Sequence, residues 1–168
     1  MPTALILLAA GLGTRMNSDL PKVLHEVGSA PLLAHALRSA WPLEPERAVV
    51  VTGHGAEAVG KAVQVWYPDA EVVLQAEQRG TAHAVAQAAP ALEGFAGDAV
   101  VLYGDTPFIR PETLQAMAEA RARHDVVVLG FEAADPGRYG RLVMKGDELA
   151  RIVEWKDASE NERAIGLC

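Results

Sequence analysis

Five short runs set the frame for this chain: Leu5–Leu8, Ala48–Thr52, Glu71–Leu74, Ala99–Tyr103 and Val126–Phe131. They are rich in Val, Leu and Ile, and none alternates cleanly between polar and apolar. Continuous apolar runs of this length fit strands buried on both faces, as in a parallel sheet. Helical patterns lie between them. Pro31-Leu32-Leu33 opens one, with Ala36, Leu37 and Ala40 at helical spacing. Ala56–Trp66 carries Val59, Val63 and Trp66 on one face, and Ala82–Leu92 is rich in the best helix former, alanine. Pro111-Glu112 makes a good first turn, with the proline pre-set and the acid near the positive helix end. This alternation predicts an α/β fold: a doubly wound, mostly parallel, Rossmann-like sheet flanked by helices.

After Phe131 the pattern changes. Arg141–Met144 and Leu149–Glu154 flank the polar stretch Lys145-Gly146-Asp147-Glu148, which predicts a β-hairpin excursion near the C-terminus. Ser159 and Glu162 have the spacing of a capping box for a short helix. Ile165-Gly166-Leu167-Cys168 reads as the start of a further strand. The 168 residues suit one domain with a real core, so the expectation is a single domain over 1–168, incomplete at its C-terminus.

The net charge of −7 disfavours a nucleic-acid partner, because an acidic surface repels the phosphate backbone. A small anion remains possible where local cations or a metal outweigh that charge. The single cysteine, Cys168, allows no internal disulfide and suits a reducing cytoplasm. The apolar start, Ala4–Ala10, has no basic residue before it and leads into glycines rather than a signal-peptide cleavage site. No run is long enough to span a membrane.

The first chemical signal is Leu8-Ala9-Ala10-Gly11-Leu12-Gly13-Thr14-Arg15-Met16, directly after the first strand. Ligands bind at the carboxyl ends of strands in open α/β sheets. Gly11 and Gly13 allow close backbone approach and offer bare N–H groups to phosphate. A Walker loop would need Gly and Lys where Met16 and Asn17 stand, and a dinucleotide fingerprint would need a third glycine at 16. Glycines alone also fit a tight turn. Arg15 and Lys22, the latter after Asp19-Leu20-Pro21, add two cations able to neutralise charge during nucleotidyl transfer. A solvated surface lysine is the ordinary alternative for Lys22. The five histidines show no zinc-site spacing, and His83 reads as structural.

The first loop together with Asp19-Leu20-Pro21-Lys22 resembles the signature of sugar-1-phosphate nucleotidylyltransferases. Four more blocks follow in order: Gln75-Ala76-Glu77-Gln78-Arg79-Gly80-Thr81-Ala82-His83-Ala84, Leu102-Tyr103-Gly104-Asp105-Thr106-Pro107, Tyr139-Gly140-Arg141 and Val153-Glu154-Trp155-Lys156-Asp157. With them the chain is most similar to the N-terminal domain of bifunctional N-acetylglucosamine-1-phosphate uridylyltransferase / glucosamine-1-phosphate acetyltransferases. The resemblance implies that Leu8, Ala9, Ala10, Gly11 and Gly13 hold the nucleotide, and that Arg15 and Lys22 act on the phosphates as catalytic residues. It implies that Gln75, Gly80 and Thr81 read the uracil edge. A glutamine amide offers both a donor and an acceptor for that task. Tyr103, Gly104 and Asp105 complete the nucleotide site, with Asp105 as the Mg²⁺ ligand. Mg²⁺ is usually held by one or two carboxylates plus substrate phosphates. The ordinary alternative for Asp105 is a turn-stabilising role through its own backbone. Gly140 and Glu154 stand where the family contacts the amino sugar.

The implied reaction joins UTP and N-acetylglucosamine 1-phosphate into UDP-N-acetylglucosamine, a cell-envelope precursor, and releases pyrophosphate. The family domain extends beyond this length, and the family enzyme is a trimer through a β-helix that carries the acetyltransferase. A sugar-contacting asparagine and a second metal-binding asparagine are expected past residue 168. Two other readings stay open: a nucleotide-binding module without turnover, and a related transferase using another nucleotide or sugar.

Overall fold

In a computed structural model, the described residues are all of 1–168 except Leu12, Thr14, Arg15 and Asn17. Thr3–Ala9 forms β1, and every residue after Thr3 in it is buried. Short strands β2 (Glu26–Val27) and β3 (Ala30–Pro31) pair with each other and lead into α1 (Leu32–Ala40). There follow β4 (Arg47–Thr52), α2 (Ala56–Trp66), β5 (Glu71–Leu74), α3 (Thr81–Ala86), β6 (Asp98–Tyr103) and α4 (Pro111–Arg121). The last elements are β7 (Arg141–Lys145), β8 (Glu148–Val153) and α5 (Glu160–Arg163). The chain clusters into two compact units, Met1–Ala118 and Glu119–Cys168.

The first unit is a four-stranded sheet in the order β5-β4-β1-β6, parallel throughout. β1 is flanked on both sides, which explains its unbroken apolar sequence. Its alternate residues serve two cores. Leu5, Leu7 and Ala9 pack with Leu33 and Leu37 of α1, Val59 and Val63 of α2, and Leu114 of α4. Ile6, Leu8 and Ala10 pack on the other side with Val49, Val51, Ala84, Ala88 and Ala91. Helices on both faces make the doubly wound, Rossmann-like arrangement that the alternation predicts.

Two expectations need correction. The alanine-rich stretch 82–92 is not one helix. α3 ends at Ala86, after which Gln87, Ala88 and Ala89 make tighter bonds to carbonyls three residues back. Pro90 has no N–H to continue the ladder and opens a separate 3₁₀ turn, Pro90–Leu92. The run Val126–Phe131 is not a fifth strand of the parallel sheet. It lies in the second unit, where Val126, Val128, Leu129 and Phe131 are exposed. Phe131 exchanges backbone hydrogen bonds with Cys168, and Ala133 N–H donates to Gly166. The run's apolar composition predicts a strand, but none forms at 126–131; its last residue, Phe131, bonds to the 166–168 segment instead.

The rest of the second unit follows the sequence closely. β7 and β8 pair antiparallel across a turn at Gly146-Asp147. The capping box of α5 is complete, with the Ser159 hydroxyl accepting from Glu162 N–H and the Glu162 carboxylate accepting from Ser159 N–H. Arg141 is 2% exposed, and its guanidinium donates to the carbonyls of Pro136, Gly137, Tyr139 and Arg163.

Candidate nucleotide site

The carboxyl ends of β1 and β6 lie side by side, with Leu8 paired to Tyr103. Parallel pairing brings the chain exits of both strands to the same sheet edge, so the loops after them share one mouth. A cavity of about 440 Å³ opens there. Leu8, Ala10, Gly11 and Gly13 of the first loop line it, together with Lys22, Gln75, Gly80, Thr81, Tyr103 and Asp105. Residues from four sequence blocks, up to 97 positions apart between Leu8 and Asp105, thus converge on one space.

Gly13 has φ +60°, and a Cβ on it would lie 2.9 Å from Lys22 Cβ. The glycine therefore lets the loop pack directly against Lys22. A Cβ on Gly11 would meet nothing within 4 Å, leaving the cavity side of that residue open. Lys22 starts a 3₁₀ turn, Lys22–Leu24, whose Val23 is buried against the sheet core and also lines the cavity. That burial anchors the lysine backbone while its ammonium reaches across the mouth.

Lys22 Nζ donates to Asp105 Oδ2 at 2.8 Å. The side chains are 39% and 35% exposed, so water reaches both. Asp105 follows β6 in a turn held by Thr106, whose N–H and hydroxyl both donate to the Tyr103 carbonyl. The turn thus has its own fastening, and the Asp105 carboxylate is directed to the lysine instead. Among the described residues no cluster of three or more His, Cys, Asp or Glu side chains is grouped to hold a metal. A cation here would need oxygens from a ligand in addition to Asp105.

On the far side, Gln75 is 4% exposed. Its backbone N–H donates to Thr52, continuing the β4–β5 pairing, and its side-chain Nε2 donates to Gly80 O at 3.2 Å. Gly80 has φ +96°, a conformation that suits glycine, and its carbonyl also receives the N–H of Ala84 at the start of α3.

Not every residue assigned by resemblance lines the cavity. Ala9 is buried in the core with α1 and α2, on the opposite side of the strand from Leu8. Gly104 donates its N–H to Leu8 O, and a Cβ on it would crowd Val23 at 3.0 Å, so it sets the approach of β6 to the first loop. Arg15 lies outside the described residues. Gly140 immediately precedes β7, where a Cβ would make ordinary contact with Ile152 at 3.6 Å. Glu154 is exposed just past β8, and its carbonyl receives the N–H of Asp157. Both belong to the second unit.

Residues 5–165 match the family described as the MobA-like NTP transferase domain. The chain belongs to that family. Along 165 residues it is 72% identical to the bifunctional protein GlmU of Cereibacter sphaeroides, covering 98% of this chain and 36% of that protein. The chain thus spans about a third of the length of the curated relatives it matches. The crystal structure of UDP-glucose pyrophosphorylase complexed with UDP-glucose superposes with a TM-score of 0.81 at 21% identity, over 100% of this chain and 73% of that one. Rv0371C of Mycobacterium tuberculosis, in complex with manganese, gives a TM-score of 0.56 at 24% identity over 73% of this chain and 61% of that one. At such identities these two show a shared fold. Within this MobA-like NTP transferase domain, sequence reasoning passed over four lining residues: Met16, Val23, Gln78 and Ala84. Gln78 was legible as part of a quoted block but not its task, which is to donate from Nε2 to Ala10 O at 2.8 Å and tie the two loops together.

Proposed function

We propose that this chain carries uridylyl transfer from UTP to N-acetylglucosamine 1-phosphate, dependent on a divalent cation and releasing pyrophosphate. The observation that carries the reading is the convergence of the glycine loop, Lys22, Asp105 and the buried Gln75 amide on one cavity. Identity of 72% to a GlmU protein across this chain supports the choice of nucleotide and sugar.

On this reading the uracil lies against Gln75, Gly80 and Thr81, and the triphosphate runs along Leu8–Gly13 toward Lys22. Leu8, Ala9, Ala10, Gly11 and Gly13 serve through their backbone, which brings phosphate or ribose close without side-chain obstruction. Arg15, in the same loop, joins Lys22 in balancing phosphate charge. Tyr103 and Gly104 place Asp105 at the mouth. Gly140 and Glu154 contact the amino sugar, where a carboxylate accepts from sugar hydroxyls. Residues 1–168 are read as one nucleotidyltransferase domain, as the family match over 5–165 supports.

The sugar phosphate oxygen attacks the α-phosphorus in line. A new P–O bond forms, the bond to the β-phosphate bridging oxygen breaks, and pyrophosphate departs with the electron pair. The attacking monoester is already ionised, so no general base is required. The chain supplies positioning and charge neutralisation. Asp105 fits a Mg²⁺ site completed by phosphate oxygens: its Oδ2 is held by an exchangeable lysine, and one carboxylate suffices for such sites. Mg²⁺ bound there would neutralise phosphate charge and fix the triphosphate geometry. The manganese complex of Rv0371C supports a divalent cation in this fold. The reading places the activity in the cytoplasm, consistent with the absence, among the described residues, of any helix long and apolar enough to cross a membrane.

The test is titration calorimetry of the chain with UTP, CTP and dTTP in the presence and absence of Mg²⁺, followed by an assay of pyrophosphate release with N-acetylglucosamine 1-phosphate. UTP-selective, Mg²⁺-dependent binding with release supports the proposal. Selective binding without release would make the chain a nucleotide-binding module. A preference for dTTP or CTP would assign a different nucleotidylyl transfer.

A further inference from the structure

The uridine reading leaves open which atom of the Gln75 amide meets the base, and the side chain's surroundings decide it. Gln75 Nε2 has two neighbours, Gly80 O at 3.2 Å and His83 Nδ1 at 3.0 Å. A carbonyl oxygen can only accept, so the amide end facing Gly80 is the NH₂ group. Its second hydrogen then goes to His83 Nδ1, which must be the unprotonated ring nitrogen. The ring proton sits on Nε2. Both hydrogens of the amide are thereby committed, and Oε1 is the atom left for a ligand.

His83 is itself held. It lies in the first turn of α3, and Gln87, one turn later, donates from Nε2 to the His83 carbonyl at 3.1 Å, with the same Nε2 3.3 Å from the ring Nε2, where it competes with Gln75 for the single lone pair of a neutral ring. The ring lone pair goes to Gln75, whose contact is shorter at 3.0 Å and whose buried amide has no water to turn to, whereas Gln87 is half-buried and keeps its bond to the His83 carbonyl. Reversing the Gln75 amide would set Oε1 against the Gly80 carbonyl, a clash that no change of His83 tautomer removes. In a residue 4% exposed, that acceptor–acceptor contact has no water to relieve it.

We propose that His83 is a specificity-determining positioning residue. By taking the second Nε2 hydrogen it presents Gln75 Oε1 to the base as a pure acceptor. An acceptor at that point admits a pyrimidine whose ring N3 carries hydrogen, as in uracil or thymine. It rejects cytosine, whose N3 is a lone pair. The proposal rests on the uridine reading of the cavity. It also sharpens it: the amide contributes only an acceptor, and any donor to the base carbonyls comes from elsewhere in the cavity.

The experiment has two arms. In the ligand-free protein, long-range ¹H–¹⁵N spectra report the ring tautomer of His83. A proton on Nε2 is expected, and a proton on Nδ1 overturns the proposal. In the second arm, UTP and CTP affinities are measured for the wild type, His83→Leu and His83→Asn. Leucine removes the acceptor, and the ratio of UTP to CTP affinity should fall about tenfold, the upper range for one neutral hydrogen bond. Asparagine can restore an acceptor near the Nδ1 position and should recover most of the ratio. Equal losses for both nucleotides in His83→Leu would show a purely structural residue and overturn the assignment. An Nε2 tautomer in a wild-type chain that does not prefer UTP to CTP would instead sink the uridine reading while leaving the amide network intact.

Discussion

Lys22 and Asp105, 83 residues apart in sequence, join their side chains at 2.8 Å across the mouth of the cavity. The pair holds the cation assigned to phosphate against the carboxylate assigned to metal. Each group therefore keeps the other's charge balanced until substrate arrives. With about a third of each side chain exposed, the pair stabilises the fold by no more than about 1 kcal/mol and can exchange partners readily. Triphosphate and a divalent cation together offer each member a stronger counter-charge than the other provides.

Asp105→Asn keeps the shape of the side chain and removes its charge. We expect the Mg²⁺-dependent part of UTP binding to disappear, with thermal stability nearly unchanged. Calorimetry with and without Mg²⁺ checks this. A variant that retains the full Mg²⁺ increment would remove Asp105 from the metal site.

Lys22→Ala should weaken UTP by tenfold or more, roughly the effect of losing one charge-assisted contact, while uridine affinity changes little. The comparison separates lost phosphate recognition from a collapsed site. Parallel losses for both ligands would point to collapse.

Gly13→Ala places a methyl group 2.9 Å from Lys22 Cβ on a backbone at φ +60°. A left-handed residue with a side chain costs about 1–2 kcal/mol, and the clash must be relieved by moving Lys22. We expect a lower melting temperature together with weaker triphosphate binding. Gly11→Ala meets nothing within 4 Å, so it should leave stability unchanged and act on nucleotide affinity alone.

Arg141→Met tests the second unit. The buried guanidinium satisfies the backbone carbonyls of Pro136, Gly137, Tyr139 and Arg163. Its loss should destabilise by about 3 kcal/mol, as for other broken buried networks. Denaturant unfolding measures the loss, and amide exchange should rise first around residues 136–140.

The Glu162 carboxyl is held below its ordinary range, chiefly by the Ser159 hydroxyl, then by the Ser159 backbone N–H, with Arg151 adding to both. A depressed carboxyl stabilises the folded state above its unfolded pKa, and that contribution fades as pH falls through the folded value. Amide exchange in α5 should therefore increase on acidification below the usual glutamate range, and Ser159→Ala, which removes the hydroxyl but keeps the backbone N–H and Arg151, should weaken that dependence.

Much was legible in the sequence alone. Unbroken apolar runs announced β1, β4, β5 and β6; in the central strands β1 and β4 the reason is cover on both faces, while the edge strands β5 and β6 share the composition but are only partly buried. Ser159 and Glu162 announced α5 because a capping box is closed by local bonds. The glycine loop, Lys22, Gln75 and Asp105 were recognisable as separate blocks. What tertiary structure decided were the pairings between distant segments. Val126–Phe131 had the composition of a sheet strand, yet it forms none and its Phe131 bonds to Cys168, since composition does not specify a partner. Gln75 showed a donor and an acceptor, but Gly80 and His83 take both hydrogens and leave one acceptor. Lys22 and Asp105 carried opposite charges that only the parallel neighbouring of β1 and β6 brings within 2.8 Å. Residue types fix what each group can do; long-range packing fixes which of those capacities remain free for a ligand.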